Sequence, residues 1–258
     1  MNIKKHIPNA ITCGNLFCGC LAIVCAFRGD LVWAAYLVGI AAVLDFFDGF
    51  FARLLKVGGE LGKQLDSLAD MVTFGVVPGI VMYHLLLQSL FFHTAASQGI
   101  PDVSAIAVSQ PLLPYIAFLM TVFSAMRLAK FNIDTRQTTS FIGVPTPANS
   151  ILICSFPLII KFHEKTHMEY NALLLNPYVL VAITLLMSYL LVAELPLFAL
   201  KFKNFGWPAN KIRYTFLIIS VILLILFQFI AIPFIIFLYI VLSISNNLSE
   251  KQKNTGLN

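Results

Sequence analysis

Residues 45–70 read DFFDGFFARLLKVGGELGKQLDSLAD, and this stretch decides how the chain folds. It carries aspartates at positions 45, 48, 66 and 70, and the sequence on both sides of it is strongly apolar. A charge at the centre of a bilayer costs about 3 kcal/mol or more, so acidic residues in a membrane helix point to a function. Carboxylates packed together also repel one another unless a cation or protons separate them. The stretch therefore predicts a divalent-metal site that opens onto one face of a membrane.

The composition around this stretch is that of a membrane protein. The chain has 258 residues, of which 59% are hydrophobic and only 11% are charged. A soluble domain carries about 25% charged residues, and several apolar runs here approach the roughly 20 residues that a spanning helix needs. We predict an all-α, polytopic membrane helical bundle that forms a single domain over residues 1–258.

The apolar runs predict about eight transmembrane helices. Six of them form a core within residues 1–195, with predicted ranges 9–27, 31–51, 66–92, 112–130, 147–162 and 172–195. The segment 214–245 would be about 48 Å long as one helix, which is too long for a single untilted span. Because Pro233 lies within it, we predict a C-terminal helix pair that is interrupted near residues 230–233.

The distribution of lysine and arginine predicts the orientation of the bundle. With the N-terminus in the cytoplasm, all of the 17 basic residues fall on the cytoplasmic side except Arg28, Lys161 and Lys165. Such a bias is typical of cytoplasmic loops. We therefore expect an integral protein of the inner (cytoplasmic) membrane, with its N-terminus and the four aspartates on the cytoplasmic side.

The spacing of the aspartates predicts how they are presented. Asp45 and Asp48 stand at i and i+3, and Asp66 and Asp70 at i and i+4, so each pair shares one face of a helix. Glycines between the pairs permit a tight turn that brings the two helix ends together. Carboxylate oxygens suit Mg²⁺ or Mn²⁺. Two such ions about 4 Å apart would stabilise the attacking and leaving oxygens of a phosphoryl transfer.

Arg53 follows the first aspartate pair by about one turn, where a guanidinium could clamp a phosphate. Two other interpretations stay open at this point. The aspartates could simply pair with neighbouring basic residues at a wet interface. Alternatively, the chain could be a divalent-cation transporter with an intramembrane ion site. A transporter predicts acidic residues within several other spans, whereas Asp134 and Glu194 lie only near span ends.

The 45–70 stretch resembles the signature D-x2-D-G-x2-A-R-x8-G-x3-D-x3-D of the CDP-alcohol phosphatidyltransferase family. The eight fixed positions are filled by Asp45, Asp48, Gly49, Ala52, Arg53, Gly62, Asp66 and Asp70. The resemblance implies an integral membrane enzyme, usually dimeric, with a six-helix core around the site. Members of the family move a phosphatidyl group from a CDP-linked lipid to an alcohol and release CMP.

The resemblance also implies roles for individual residues. Asp45, Asp48 and Asp66 would bind metal, and Asp70 would bind metal and act as the general base. The residues expected to contact the CDP-lipid are Pro8, Asn9, Thr12, Asp48, Gly49, Ala52, Arg53, Gly59 and Gly62. Some members have a hydroxyl residue six positions after the motif arginine; Gly59 stands there in this chain, so any contact must come from its backbone.

Segments outside the motif are similar to the bacterial branch of the family that accepts L-serine. These segments are 7–9, 15–19, 66–78, 127–132 and 141–148. The implied reaction converts CDP-diacylglycerol and L-serine into phosphatidylserine and CMP. Arg127, Lys130 and Asn132 end the fourth span on the expected side of the site, and Arg127 could clamp the carboxylate of serine. They could equally be ordinary cytoplasmic anchors, and the segment 141–147 could be a rim over the pocket or a plain loop.

The acceptor alcohol has alternatives within the family. Glycerol 3-phosphate or an inositol phosphate would need extra cations near the site to hold its phosphate. Arg127, Lys130 and Arg136 could supply them, so composition alone does not exclude such an acceptor. The flanking segments favour serine.

Overall fold

The protein is an almost entirely helical bundle in its computed structural model, which describes residues 6–57, 59–98, 112–134, 140–163, 168–198 and 206–255. The helices of the described chain are α1 (His6–Phe27), α2 (Leu31–Leu54), α3 (Glu60–Asp70), α4 (Val77–Gln98), α5 (Phe118–Ile133), α6 (Thr146–His163), α7 (Met168–Leu174), α8 (Pro177–Val192), α9 (Trp207–Phe227) and α10 (Ala231–Thr255). A π-helical segment, Met71–Val76, joins α3 to α4. Short 3₁₀ helices precede α5 (Leu113–Ala117) and α10 (Gln228–Ile230).

The length and apolar character of these helices confirm a polytopic membrane bundle. Five segments of the described chain are long and apolar enough to cross a membrane: His6–Phe27, Leu31–Leu54, Glu60–Phe92, Leu113–Ile133 and Asn210–Asn247. The apolar helices α6 and α8 are shorter. The last of the five segments holds most of α9 and α10, and each predicted range overlaps at least one described helix, while the number of spans stays a prediction.

The breaks between helices differ from the predicted ones in two places. The predicted sixth span, 172–195, divides into α7 and α8, because Asn176 caps a new helix through bonds from the backbone N–H groups of Tyr178 and Val179. The C-terminal pair is interrupted at Gln228–Ile230, before the predicted position. Pro233 therefore stands in the first turn of α10, where its missing N–H removes no helical hydrogen bond.

The connection between α2 and α3 is shorter than predicted. α2 continues to Leu54, and α3 begins at Glu60 instead of residue 66. Gly62 therefore lies inside α3, where a Cβ would come within 3.2 Å of Asn9 Oδ1 on α1. Its lack of a side chain allows α1 and α3 to approach, instead of forming part of a turn. The aspartates consequently lie about two to three turns away from the α2–α3 connection.

Small residues on α1 and α2 form one part of the core. Ala22 and Ala26 on α1 and Ala34 and Ala41 on α2 are fully buried, and small side chains allow neighbouring membrane helices to pack closely. α1 also packs against α3, α2 packs against α6, and α5 packs against α8. Large apolar side chains on the outer face of α2 are exposed, as expected for a surface that meets lipid.

A two-stranded ribbon, which the sequence analysis did not predict, anchors the start of α6. β1 (Ser140–Ile142) pairs antiparallel with β2 (Pro196–Phe198). The next residues continue the attachment, because Gly143 N donates to Leu195 O at 2.9 Å and Val144 N to Leu190 O at 2.9 Å. Gly143 has a φ of +77°, and a Cβ there would overlap the carbonyl oxygen of Leu191. The N-terminus of α6 is thus fixed against the C-terminal end of α8.

The C-terminal helices are joined to the rest of the bundle through the same ribbon. The Tyr239 hydroxyl on α10 donates to the Phe198 carbonyl at 3.0 Å, and the two rings meet edge to face with centroids 5.0 Å apart. Phe216 on α9 packs on Phe198 as well, with centroids 5.9 Å apart. The Asn247 amide donates to the Pro196 carbonyl.

Candidate active site

The structure brings the two aspartate pairs together. One carboxylate oxygen from each of Asp45, Asp48 and Asp66 lies within 4.8 Å of the others. Asp70 joins the group through a hydrogen-bonding contact with Asp45. Three carboxylates at this separation form a set of hard oxygen donors, which is the set that a divalent cation such as Mg²⁺ or Mn²⁺ requires.

Helix α1 packs against both α2 and α3, and two of its side chains form hydrogen bonds with the carboxylates. The Thr12 hydroxyl lies 2.6 Å from Asp48 Oδ2 and 3.0 Å from the Pro8 carbonyl. One turn further along, Asn15 Nδ2 donates to Asp70 Oδ1 at 3.3 Å. Both supported aspartates are buried, with Asp48 6% and Asp70 9% exposed. Asp45 and Asp66 are only half-buried, so the cluster opens on their side.

The π-helical segment begins directly after Asp70. Its wider turns are closed by a bond from Val77 N to Val72 O, and Pro78, which follows, has no N–H to form the ordinary helical bond to Phe74. Thr73 Oγ1 donates to the Asn15 carbonyl at 3.2 Å, and Thr121 Oγ1 donates to the Gly75 carbonyl at 3.0 Å. π-bulges are frequent at functional sites. This one ties α3 to α1 and α5 at the level of Asp70.

Several of the residues expected to contact the CDP-lipid are exposed or half-buried near the end of α2 and the start of α3. Arg53 is exposed. Its guanidinium lies along α2 next to Gly49, because a Cβ on that glycine would be 3.8 Å from Arg53 Nη1. Ala52 is half-buried. Gly59 is exposed, adopts an extended conformation and precedes the first residue of α3.

The start of α1 reaches the same region. Pro8 is buried, with its carbonyl oxygen 3.0 Å from the Thr12 hydroxyl, and Asn9 is half-buried beside Gly62. Thr12 is engaged with Asp48, so its hydroxyl orients a carboxylate of the cluster.

The three predicted serine contacts have different surroundings. Arg127 is buried, with 6% exposure, and lies within electrostatic range of Asp70. Lys130 is exposed at the end of α5. Asn132 is hydrogen-bonded to α3. Its side-chain Nδ2 donates to Ser67 Oγ at 2.8 Å, and its backbone carbonyl accepts from Lys63 Nζ at 2.8 Å. Arg127 is thus the one of the three that is buried and lies within electrostatic range of an aspartate of the cluster.

Several polar residues around the aspartates were not among the predicted site residues. Asn15 holds Asp70, and Thr146 Oγ1 lies 3.5 Å from Arg127 Nη1. Asn149, one turn further along α6, is fully buried. A signal for Asn15 was present, because it follows Thr12 by three residues on an otherwise apolar helix and so shares its face. The other two depend on how α5 and α6 meet, which the sequence pattern does not give.

Comparison with known proteins identifies the class. The profile of the family described as CDP-alcohol phosphatidyltransferase matches residues 5–189, a range that contains the whole carboxylate cluster together with Arg127 and Asn149. The chain belongs to the CDP-alcohol phosphatidyltransferase family.

Individual relatives point to phospholipid synthesis. The chain is 31% identical over 201 residues to a Bacillus subtilis (strain 168) protein named CDP-diacylglycerol–serine O-phosphatidyltransferase, covering 78% of this chain and 92% of the relative. A Helicobacter pylori (strain ATCC 700392 / 26695) protein of the same name is 32% identical over 176 residues, covering 65% and 66%. An archaetidylserine synthase of Methanothermobacter thermautotrophicus is 27% identical over 172 residues, covering 64% and 65%. Together with the apolar helices, these similarities support a membrane-bound phosphatidyltransferase.

Proposed function

We propose that this protein transfers the phosphatidyl group of CDP-diacylglycerol to the hydroxyl of L-serine, giving phosphatidylserine and CMP. The observation that carries the proposal is the meeting of four carboxylates within electrostatic range of a buried arginine. The carboxylates suit the pyrophosphate end of a CDP-lipid with its metal, and the arginine suits the carboxylate of an amino-acid acceptor. The names of the relatives above support serine as that acceptor.

The residues of α1, α2 and α3 would hold the CDP-lipid. Mg²⁺ or Mn²⁺, in one or two ions bound by the four aspartates, would neutralise charge on the pyrophosphate. Arg53 would donate to a phosphate oxygen from the exposed end of α2. Asn9 and the backbone at Gly59 and Gly62 would face the nucleotide, and Thr12 would keep Asp48 in its orientation.

Asp70 would act as the general base. Its carboxylate would take the proton from the serine hydroxyl while the serine oxygen forms a bond to the lipid-side phosphorus. The bond from that phosphorus to the CMP oxygen breaks, and CMP leaves with the electron pair. Asn15 donates to Oδ1 of Asp70 and so fixes the orientation of the carboxylate that would accept the proton. General-base assistance of this kind contributes about 10²- to 10⁴-fold to the rate.

Arg127 would bind the carboxylate of serine. A buried guanidinium with donors in a fixed plane recognises a carboxylate by two parallel hydrogen bonds. Its position within electrostatic range of Asp70 would place a bound amino acid with its hydroxyl toward the base. Lys130 and Asn132 stay predictions as further serine contacts.

The same proposal covers the setting of the enzyme. The catalytic core would be residues 1–195, completed by the C-terminal helix pair within 214–245 into one domain. The protein would work as a homodimer in the inner (cytoplasmic) membrane, with its N-terminus and active site on the cytoplasmic side.

The test is release of CMP by purified protein in detergent with CDP-diacylglycerol and Mg²⁺ or Mn²⁺. We expect release with L-serine and none with glycerol 3-phosphate or inositol phosphate. Release only with a phosphorylated acceptor would move the proposal to another branch of the family. Absence of release with every alcohol would favour a divalent-cation transporter.

Asp70→Asn tests the role of the base. We expect CMP release to fall by at least 10²-fold, since the amide cannot accept the proton, while CDP-diacylglycerol still binds. The matched control is Asp30→Asn, a helix-capping position at the other end of α2, where asparagine caps equally well. Near-normal turnover in Asp70→Asn would remove Asp70 from this role.

A further inference from the structure

Asn149 is a buried amide whose polar atoms are left without partners. It is 0% exposed, and among the described residues neither its Nδ2 nor its Oδ1 has a hydrogen-bond partner. A buried amide without partners costs about 1–3 kcal/mol. An apolar residue of similar size could take this place in the helix without loss of stability. We therefore infer that a bound ligand uses the hydrogen-bonding atoms of Asn149.

The position of Asn149 identifies where that ligand lies. Asn149 follows Thr146 by three residues on α6, so the two share a face. Thr146 Oγ1 lies 3.5 Å from Arg127 Nη1, and Arg127 lies within electrostatic range of Asp70. The face that carries Asn149 is therefore turned toward the Arg127 guanidinium, which lies within electrostatic range of the proposed base.

Helix α5 also carries unpartnered polar atoms on the face that holds Arg127. Arg127 Nε has no hydrogen-bond partner within the described chain, and neither has the Ser124 hydroxyl, one turn earlier on the same face. Ser124 is also fully buried. Helices α5 and α6 thus carry a guanidinium donor (Arg127), an amide (Asn149) and a hydroxyl (Ser124) with atoms that have no hydrogen-bond partner within the described chain.

Resting on the proposed function, we propose that Asn149 binds the ammonium group of the amino-acid acceptor. Its Oδ1 accepts a hydrogen bond from the ammonium, while Arg127 holds the carboxylate and Asp70 faces the hydroxyl. These groups match the three substituents of a hydroxy amino acid. Asn149 is in this account a determinant of acceptor specificity, selecting an α-amino acid over a simple alcohol or a hydroxy acid.

The first test compares acceptors with the unaltered protein. CMP release is measured with L-serine, with 3-hydroxypropionate, which lacks the ammonium, and with ethanolamine, which lacks the carboxylate. We expect L-serine to be used at least 10-fold better than 3-hydroxypropionate. Equal use of L-serine and 3-hydroxypropionate would overturn the assignment of an ammonium subsite. Absence of release with L-serine would instead overturn the proposed function itself.

The second test uses Asn149→Leu, which keeps the side-chain size and removes both polar atoms. We expect KM for L-serine to rise roughly 10- to 100-fold, the range for a lost hydrogen bond to a charged group, with KM for CDP-diacylglycerol unchanged. The preference for L-serine over 3-hydroxypropionate should disappear, and the preference over ethanolamine should remain. The melting temperature should stay equal or rise, because an unpartnered amide has been removed.

Asn171→Leu is the matched control. Asn171 is half-buried on α7, and its Oδ1 also has no hydrogen-bond partner within the described chain. We expect its KM for L-serine to match that of the unaltered protein. An unchanged KM in Asn149→Leu would overturn the subsite while leaving serine as the acceptor. If Asn149→Leu does not fold, Asn149→Ser is measured by the same criteria.

Discussion

At the scale of single residues, the site depends on neutral side chains that hold charged ones. Thr12 and Asn15 donate to Asp48 and Asp70 without cancelling their negative charge. A lysine or arginine in either place would form an ion pair with the carboxylate and compete with a metal ion for it. A hydroxyl and an amide fix the orientation of the carboxylates and leave their charge available.

Thr12→Val is expected to weaken metal binding without removing a proposed metal ligand. Loss of a supporting hydrogen bond to a ligating carboxylate reduces metal affinity about 10- to 100-fold. The measurement is the Mn²⁺ concentration that gives half-maximal CMP release. Thr12→Ser retains the hydroxyl and serves as the control. Identical Mn²⁺ dependence in the valine and serine variants would show that the 2.6 Å contact with Asp48 has no such role.

The aspartates could be read from the sequence, whereas the contacts between helices around them could not. The i, i+3 and i, i+4 spacings of the acidic residues are local properties and predict a shared face directly. The partnership of Thr146 with Arg127, or of Asn132 with Ser67, joins residues on different helices. Such contacts depend on helix packing, which the spacing of residues along one helix does not specify.

At the scale of elements, the contact between α1 and the π-helical segment sets the position of Asp70. Gly19 on α1 meets Thr73 so closely that a Cβ would overlap Thr73 Oγ1 and lie 3.1 Å from Thr73 Cα. The same threonine donates to the carbonyl of Asn15, which in turn holds Asp70. If α1 moves away from this segment, the hydrogen bonds from Thr73 to Asn15 and from Asn15 to Asp70 should transmit the movement to the proposed base.

Gly19→Ala is expected to lower both stability and activity. The new methyl group meets backbone as well as a side chain, and overpacking of this kind costs about 1–3 kcal/mol. The control is Gly39→Ala on α2, where a Cβ would meet nothing within 4 Å. Thermal unfolding in detergent and CMP release are measured for both. If the two variants behave alike, the close approach at Gly19 does not position the site.

The elements were predicted unequally well, for identifiable reasons. Long apolar runs gave the positions of the helices, and Asn176 with Pro177 carried a helix-start signal that divides the predicted sixth span. The β1–β2 ribbon joins three-residue strands that lie far apart in the sequence, so no local pattern indicates it. The π-helical segment was not predicted either, because Pro78 is its only signal in the sequence.

At the scale of the whole molecule, basic residues form two groups that lie at opposite ends of the bundle. Arg28 and Lys161, two of the three predicted to lie opposite the aspartates, line one cavity together with Asp30 and Gln88. Arg53 and Lys63 lie at the other end, near the start and finish of the α2–α3 connection. Which end faces the cytoplasm is a prediction from the charge bias.

Labelling of single cysteines tests that orientation. In a variant with the five native cysteines replaced by alanine, Glu60→Cys should react with a membrane-impermeant maleimide only in inverted vesicles. Arg28→Cys should react in intact cells. Both positions are exposed at ends of helices. Labelling of the two residues from the same side would contradict a transmembrane bundle, and reversed labelling would place the aspartates on the outer face.

The β1–β2 ribbon has a consequence for the order in which the site can assemble on the ribosome. Residues 12–70, which supply the carboxylates and their supports, are translated early and pack among neighbouring helices. β1 must wait for residues 196–198 to emerge before it can pair and fix the start of α6. A nascent chain should therefore complete the proposed CDP-lipid site well before the proposed amino-acid site. Stalled fragments that end before residue 196 should bind CDP-diacylglycerol and fail to bind L-serine.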